Sequence, residues 1–399
     1  MSPVRRKLPV VALVAALSAA CAPNPLPVLS QPPLPGTPPA AVVYLIGDAG
    51  ASSDSSLVLR QLRQDLLGQA ARSATMVVFL GDNVYEHGVR PHGADGRSAE
   101  GIARLAAQAA VVEGTRAEAV FVPGNHDWDQ SDGAAAIRRQ GDLLRQLAST
   151  SLRTRMLPAN ACPGPISVEL GGVLRLIFLD TEWWLRDAPG QPNPWCPDAS
   201  RQSVLDSLAS VLTWAGPDHV IVLGHHPLET YGPHGGYFGL RDIFFPATNL
   251  WKPLYIPVPL LYPIVRNLLT PRQDLTGSSN RELRESLVQA FRRAGRRPLA
   301  YAAAHEHSLQ VFEGGPYGVG TVLVSGAGSK LTPVGKGTAL FAAGEQHGEH
   351  GYMRISVWQN DRALLSVYTD GSGACRDSPE VCVPQATLRF TRWMAGVLP

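Results

Sequence analysis

Five short polar clusters, each placed directly after an apolar run, contain the side chains of this sequence best suited to binding metal ions. They are Gly47-Asp48, Gly81-Asp82-Asn83-Val84-Tyr85, Gly124-Asn125-His126-Asp127, Gly224-His225-His226 and His305-Glu306-His307. Together they supply carboxylate, phenol, amide and imidazole groups. Such mixed oxygen and nitrogen ligands suit iron, manganese and zinc. The sequence therefore predicts a metal site assembled from distant parts of the chain.

The apolar runs that precede the clusters have the length and composition of buried strands. They are Ala41–Ile46, Met76–Leu80, Ala119–Val122, His219–Leu223 and Leu299–Ala304. Helical patterns near residues 55–71 and 99–112 separate the first three, so strands and helices alternate as in parallel α/β proteins. The last part of the chain alternates like antiparallel strands. Because open α/β sheets bind ligands at the carboxyl ends of their strands, the clusters are expected at one edge.

Two of the clusters, those after the second and the fifth apolar run, contain residues suited to holding a pair of ions. Asp82 can bridge two metals with its two carboxylate oxygens, and Tyr85, three residues later, can reach one of them as a phenolate. His305 and His307 alternate along a segment expected to be extended, so both should face the same side. Two ions about 3.5 Å apart clamp the attacking and leaving oxygens of a phosphoryl transfer.

Each of these residues also has a purely structural interpretation. Asp48 and Asp82 could cap the segments that follow them, and Tyr85 could simply pack in the core. Asn125 could be a turn amide and His225 a hydrogen-bonded core histidine. His305 and His307 could form the polar edge of a strand.

The five clusters in this order, over residues 47–307, resemble the calcineurin-like metallophosphoesterase superfamily, and more narrowly the purple acid phosphatases. In the superfamily the first motif is Asp-x-His, and its histidine binds the first metal. Here Gly50 stands in that place, and the resemblance implies that Tyr85 in Gly-Asp-Asn-x-Tyr replaces it. A phenolate favours a ferric ion and gives a violet charge-transfer colour. Ala304 departs from the usual glycine of the last motif without removing a ligand.

The resemblance implies an α/β/β/α sandwich with a binuclear metal site and assigns a role to each polar residue. Asp48, Tyr85 and His307 would hold the first metal, Fe(III). Asn125, His225 and His305 would hold the second, which would be Fe(II), Zn or Mn. Asp82 would bind both metals. His126 would face the substrate and protonate the leaving oxygen, with Asp127 orienting its ring. A metal-held hydroxide would attack phosphorus. His226 is either substrate-facing or structural, and His234 either lines the pocket or is a solvated loop residue.

The N-terminus has the features of an export signal. Arg5, Arg6 and Lys7 precede an apolar run from Leu8 to Ala20, which is too short to span a bilayer comfortably. Ser18-Ala19-Ala20-Cys21 resembles a bacterial lipobox, which predicts a signal peptide over residues 1–20 and lipidation of Cys21. Residues 22–40 contain eight prolines and no charge, so residues 21–40 are expected to form an extended tether. The predicted location is the bacterial cell envelope, with a soluble periplasmic or secreted product as the alternative.

The charge balance excludes one class of partner. The chain has 35 basic and 33 acidic residues, and removing residues 1–20 removes three basic residues and no acidic one, which leaves 32 against 33. No basic surplus remains to hold nucleic acid.

Four cysteines follow Cys21 in the chain, an even number that favours disulfides in an exported protein. Of the three possible pairings, Cys162–Cys196 and Cys375–Cys382 are favoured.

Residues 41–399 are predicted to form a single domain with an apolar insert at about 229–277. Within it, residues 243–269 are rich in apolar and aromatic residues and contain five prolines, which prevent a membrane-spanning helix. This segment is either a lid packed on the body or a surface that touches lipid or an acyl substrate.

These observations predict a phosphomonoesterase that uses two metal ions. The alternatives are a phosphodiesterase or pyrophosphatase acting on nucleotides or lipid-linked phosphates, and a non-catalytic envelope lipoprotein that keeps the fold. The sequence leaves the natural substrate and the oligomeric state open.

Overall fold

The computed structural model describes residues 25–91, 97–129, 132–149, 152–186, 193–214, 216–217, 219–239, 243–244, 272–372 and 384–394. The predicted signal peptide, Cys21, the pair Cys375 and Cys382, and residues 245–269 of the apolar segment lie outside these residues.

The described residues form fourteen strands and six α-helices. In chain order these are β1 (Ala41–Ile46), α1 (Leu57–Ala70), β2 (Ala74–Phe79), α2 (Arg97–Ala109), β3 (Glu118–Phe121), α3 (Ala134–Leu147), β4 (Arg153–Met156), β5 (Ile166–Leu170), β6 (Leu174–Phe178), α4 (Thr181–Leu185), α5 (Arg201–Thr213), β7 (His219–Leu223), α6 (Ser278–Ala294), β8 (Ala300–Ala303), β9 (Leu309–Glu313), β10 (Thr321–Ser325), β11 (Phe341–Ala343), β12 (Gly351–Val357), β13 (Ala363–Thr369) and β14 (Thr387–Met394).

The strands form two seven-stranded sheets. The first has the order β14-β13-β12-β1-β2-β3-β4, and the second has the order β11-β9-β10-β8-β7-β6-β5. β1 to β4 are parallel neighbours, as are β6, β7, β8 and β10, while the remaining pairs are antiparallel. Each sheet is thus parallel at its centre, where the polar clusters emerge, and antiparallel towards one or both edges.

The two sheets pack face to face with helices outside them. Val43 of β1 and Leu176 of β6 belong to one buried cluster between the sheets, whereas Tyr44 of β1 packs with Leu62 of α1 in the outer layer. Successive strand side chains point to opposite faces, so strands buried on both faces are apolar throughout. The predicted α/β/β/α arrangement is therefore confirmed.

The carboxyl ends of the central strands of both sheets meet at one edge. There the Gly47 amide, after β1, donates to the Ser325 carbonyl of β10 at 2.7 Å, and the Ser325 hydroxyl donates back to the Leu45 carbonyl at 2.7 Å. These bonds tie the first sheet to the second. Loops from both sheets can therefore contribute to one site.

The proline-rich segment before β1 lies against the domain. Arg389 donates to the Leu26 carbonyl at 3.2 Å, Leu29 donates to the Leu388 carbonyl at 2.9 Å, and the Trp358 indole donates to the Thr37 carbonyl at 2.8 Å. The segment expected to form a tether is thus attached from Leu26 onward. Its lack of a hydrophobic pattern gave no sign of this, because the contacts are made mainly by backbone groups.

One predicted disulfide is confirmed: Cys162 and Cys196 are bonded, with Cα atoms 5.9 Å apart. Within the described part of the chain, no helix combines the length and apolar character required to cross a bilayer.

Candidate metal centre

The first group of candidate ligands consists of Asp48, Tyr85 and His307. The Tyr85 hydroxyl donates to Asp48 Oδ1 at 3.0 Å and lies 3.0 Å from His307 Nε2, while His307 Nε2 is 3.7 Å from Asp48 Oδ1. Two atoms that each lie about 2.1 Å from one ion at right angles are about 3.0 Å apart. The spacing of the three atoms therefore suits a shared ion.

The second group consists of Asn125, His225 and His305. Asn125 Oδ1 lies 3.0 Å from both His225 Nε2 and His305 Nδ1, and these two nitrogens are 3.2 Å apart. The His225 Nδ1–H donates to the Leu80 carbonyl at 2.8 Å, which fixes the ring and leaves Nε2 to face its neighbours.

Asp82 lies between the two groups. Its Oδ1 is 3.5 Å from His225 Nε2, and one carboxylate oxygen or ring nitrogen from each of Asp48, Asp82 and His225 falls within 4.8 Å of the others. This is the position that a carboxylate needs to bridge two ions. The structure thus brings together all seven residues for which the sequence predicted a ligand role.

Backbone strain accompanies this convergence. Asp48 and Asp82 have φ of 54° and His305 has φ of 66°, a left-handed conformation uncommon for residues other than glycine. The expectation that His305 and His307 lie along an extended segment is therefore wrong. The bend at His305 instead sends the two imidazoles to different ligand groups.

The electrostatics of the site favour bound cations. Burial, and then the Asp82 carboxylate, raise the pKa of Asp48 well above its usual range, and burial with Asp48 does the same to the pKa of Tyr85. Burial lowers the pKa of His307 to about 3. A cation at the site would favour carboxylate, phenolate and neutral imidazole, so it would offset the shifts at Asp48 and Tyr85 and bind the imidazole in its existing form.

One buried polar atom supports the same conclusion. Among the residues that the structure describes, Asp48 Oδ2 is buried without a hydrogen-bond partner. Leaving such atoms unpaired is costly. The donor set therefore fits metal ions such as iron, zinc or manganese.

Gly50 explains how Tyr85 reaches the site. A Cβ at Gly50 would lie 2.6 Å from the Asp82 carbonyl oxygen, 2.7 Å from the Val84 nitrogen and 2.8 Å from the Tyr85 nitrogen. The Tyr85 amide donates to the Gly50 carbonyl at 3.1 Å. Any larger residue at position 50 would push away the loop that carries the phenol.

His126 is the partly exposed imidazole beside the ligand groups. Its side chain is 30% exposed, its backbone N–H donates to Asp82 Oδ1 at 2.9 Å, and its Nδ1 lies 2.7 Å from the Glu86 carbonyl oxygen. The carbonyl accepts from Nδ1–H, which leaves Nε2 free to exchange a proton with a substrate. This placement agrees with the predicted substrate-facing role.

Asp127 does not orient His126 as expected. Its carboxylate accepts from the backbone amides of Asn83 at 2.9 Å, Val84 at 3.2 Å and Gly124 at 2.8 Å. These bonds clamp the loop after β2 to the loop after β3. Position in the sequence suggested a partner for His126, but the turn directs the two side chains apart.

His226 and His234 occupy different environments beside the second ligand group. His226 is fully buried, its Nδ1 lies 2.9 Å from the Thr181 hydroxyl, and one of its ring nitrogens lies within 4.8 Å of ring nitrogens of His225 and His305. His234 lies with its ring centroid 4.0 Å from that of His305, and its Nδ1 is 2.7 Å from Asp274 Oδ1. The turn at Gly232-Pro233 returns His234 to the site.

An open cleft of about 1290 Å³ adjoins the ligand groups. Its lining includes Asn125, His126, Trp128, Arg138, Glu182, Arg186 and Trp195. Glu182 was not predicted, although the polar cluster Asp180-Thr181-Glu182 after β6 was a sign of a sixth strand-end contribution. Burial raises the pKa of Glu182 to about 8.

A two-sheet sandwich with these ligands at the strand ends defines a metal-dependent phosphoesterase. A family model described as calcineurin-like phosphoesterase matches residues 42–250, more than half of the chain. The protein therefore belongs to the calcineurin-like phosphoesterase family.

Two solved structures share the fold at low sequence identity. One, described as "GAP50 the anchor in the inner membrane complex of Plasmodium", is 14% identical, with 90% of this chain and 89% of that chain covered and a TM-score of 0.53. The second, a structure of PhoD, is 13% identical, with 92% and 74% covered and a TM-score of 0.51. No curated protein matches the sequence.

Proposed function

We propose that the protein is a phosphomonoesterase with a binuclear metal centre of the purple acid phosphatase type. The observation that carries this proposal is the Tyr85 phenol, which lies 3.0 Å from both Asp48 Oδ1 and His307 Nε2. A phenol among a carboxylate and an imidazole is the donor set that favours a ferric ion, and Gly50 provides the space for it.

Two bound ions would polarise the phosphoryl group and lower the pKa of a water molecule. Asp48, Tyr85 and His307 would hold one ion, while Asn125, His225 and His305 would hold the second.

The residues of the protein supply the remaining steps. Asp82 fixes the spacing of the two ligand groups and holds the His126 backbone at 2.9 Å. His126 in its protonated form gives its Nε2 proton to the leaving oxygen as the bond between phosphorus and oxygen breaks. His234, supported by Asp274, presents a further imidazole beside His305 and can donate to a phosphate oxygen.

Metal analysis and a visible spectrum, followed by a panel of phosphate esters, test this proposal. We expect two metal ions per chain, a charge-transfer band in the visible region, and hydrolysis of an aryl phosphate monoester. Metal-loaded protein that hydrolyses no phosphate ester would instead support the non-catalytic alternative.

A second candidate function, cleavage of a phosphodiester or pyrophosphate bond, is favoured by the size of the cleft. Typical small-molecule pockets occupy roughly 300–1,000 Å³, and this cleft occupies about 1290 Å³. Comparing a nitrophenyl phosphate monoester with the bis(nitrophenyl) diester separates the two functions. A higher kcat/KM for the diester would replace the first proposal by the second.

We also propose that the protein is anchored in the bacterial envelope through a lipid on Cys21. The basic, apolar and small-residue order of residues 1–20 supports this. Labelling with a radioactive fatty acid in the native host should mark the wild type and not Cys21→Ser. Equal labelling of both proteins would contradict lipidation at this residue.

A further inference from the structure

The cleft beside the candidate metal centre extends well beyond the space that a phosphate group needs. Its lining includes Asn125 and His126 of the metal centre together with Trp128, Arg138 and Trp195. The wall of the cleft therefore combines indole rings and guanidinium groups with residues of the candidate metal centre.

Arg138 of α3 contributes a guanidinium group to this wall. Within the described part of the chain its guanidinium has no hydrogen-bond or ion-pair partner, although its side chain is only partly exposed. Arg186 also lines the cleft, with its guanidinium carbon 5.0 Å from the centroid of the Trp128 ring. Guanidinium groups bind phosphate oxygens through paired N–H donors.

The carboxylates of the cleft do not cancel this charge, because each faces a basic group. Glu86 pairs with Lys330 at 2.7 Å, Asp129 lies 3.4 Å from His87, and Glu182 lies 3.6 Å from Arg186. The guanidinium of Arg138 is thus available to an anionic ligand.

Trp195 is an exposed indole on a loop that is firmly held. It is 63% exposed, its neighbour Cys196 is bonded to Cys162, and the Asn193 side chain donates to the Asn160 carbonyl at 3.0 Å. A large aromatic side chain held in place at a cleft wall can stack on a flat ring at little entropic cost.

We propose that the substrate is a nucleotide that carries a second phosphate besides the one hydrolysed. The nucleobase would stack on Trp195, and the second phosphate would bind Arg138. This inference rests on the proposed phosphoesterase function and names the substrate class of the same site.

The reaction is an ordinary ester hydrolysis. The oxygen of water bonds to phosphorus and loses one proton to the solvent, and the bond between phosphorus and the ester oxygen breaks. The ester oxygen takes a proton from His126, which then regains one from the solvent. The products are inorganic phosphate and a nucleotide with one phosphate fewer.

Four phosphate monoesters of alcohols separate the two contacts. Adenosine 3′,5′-bisphosphate has both the ring and the second phosphate, 5′-AMP has only the ring, fructose 1,6-bisphosphate has only the second phosphate, and fructose 6-phosphate has neither. We expect kcat/KM to be highest for the first and lowest for the last.

Two variants assign the contacts. Trp195→Ala should lower kcat/KM about 5- to 100-fold for the two adenosine esters and leave the fructose esters unchanged. Arg138→Ala should lower it about 10- to 100-fold for the two bisphosphates only. Matched controls are Trp214→Ala, an indole that is 51% exposed away from the cleft, and Arg145→Ala, on the exposed side of α3.

Equal kcat/KM for all four esters, or an equal loss for all four in either variant, would overturn the substrate assignment while leaving the hydrolase intact. If no ester is hydrolysed, the proposed function fails. Equilibrium dialysis then measures separately whether adenosine 3′,5′-bisphosphate binds to the cleft of the wild type and of the two variants. Binding that both variants weaken would support the assignment, and binding that neither variant changes would overturn it.

Discussion

The hydroxyl of Tyr85 donates to Asp48 Oδ1 at 3.0 Å, although the two residues follow different strands of the first sheet. The contact depends on Gly50, whose missing side chain allows the loop after β2 to lie against the loop after β1. Gly50 and Tyr85 are thus both needed to place the phenol beside Asp48.

Tyr85→Phe should remove the visible absorption band, because the ring would remain while its only oxygen is lost. Metal content should fall less than colour, since Asp48 and His307 would still be present. The check is a visible spectrum with parallel metal analysis. Tyr44→Phe, a buried phenol of β1 away from the site, is the matched control. An unchanged spectrum in Tyr85→Phe would show that the phenol is not a ligand.

Gly50→Ala should have a similar effect with the phenol still in place. The added Cβ would meet backbone atoms of the Tyr85 loop at 2.6–2.8 Å, so the loop must move. We expect a weakened or shifted absorption band and lower thermal stability, measured on the same samples. Gly68→Ala, in α1 with open space around the new carbon, should leave both unchanged or raise stability slightly. A wild-type spectrum in Gly50→Ala would contradict the steric argument.

Asp82→Asn should lose most of both metal ions, because one carboxylate lies between the two ligand groups. Asparagine tolerates the left-handed backbone at this position, so the change tests charge and not strain. The measurement is metal content after dialysis together with the melting temperature. Asp361→Asn, exposed and also at positive φ, is the control. Retention of two ions in Asp82→Asn would exclude a bridging role.

His126→Ala should keep its metal ions and lower kcat by about 10²- to 10⁴-fold, the usual range for a proton-transfer group. The His126 ring packs against Tyr85, but its hydrogen bond to Asp82 is made by the backbone amide, which alanine preserves. Steady-state kinetics and metal analysis check this. His87→Ala, which lines the same cleft, serves as the control and should change kcat little. Full activity of His126→Ala would assign the acid elsewhere.

Asp180 should make stability depend on pH. Burial raises its pKa to about 7, while its carboxylate accepts from the Trp183 amide and the Trp128 indole. The folded protein therefore keeps a proton that the unfolded chain releases near pH 4. Below the unfolded pKa, this proton contributes its full stabilisation to the folded state. As pH rises towards 7, the free energy of unfolding falls by up to about 1.4 kcal/mol per pH unit, and above pH 7 it no longer depends on this group.

Asp180→Asn removes this dependence and keeps an oxygen to cap α4. Its free energy of unfolding relative to the wild type should rise between pH 4.5 and 7 and level off above pH 7. Urea denaturation at several pH values measures this, with the exposed Asp142→Asn as a control for the loss of one carboxylate. A difference that does not vary with pH would contradict the shifted pKa.

The strands that deliver the ligands were predictable because they are apolar throughout and end in polar clusters. β4, β9 and β11 were not predicted, each for a different reason. β11 has only three residues. Arg153–Met156 alternates charged and uncharged residues at the end of the first sheet, and the segment before Leu309–Glu313 was assigned to the histidine motif. α4 has only five residues, too few for a helical period to be seen.

The sequence alone determined which residue types could bind metal and that they follow buried strands, because period and composition are local properties. The even number of cysteines also favoured disulfides, of which Cys162–Cys196 is present. Only the tertiary structure decided how close the candidate ligands lie to one another, that Asp127 clamps two loops, that His234 returns to the site and that Trp195 and Arg138 line one cleft. Those relationships depend on the direction of each turn and on the packing of two sheets, which no local pattern specifies.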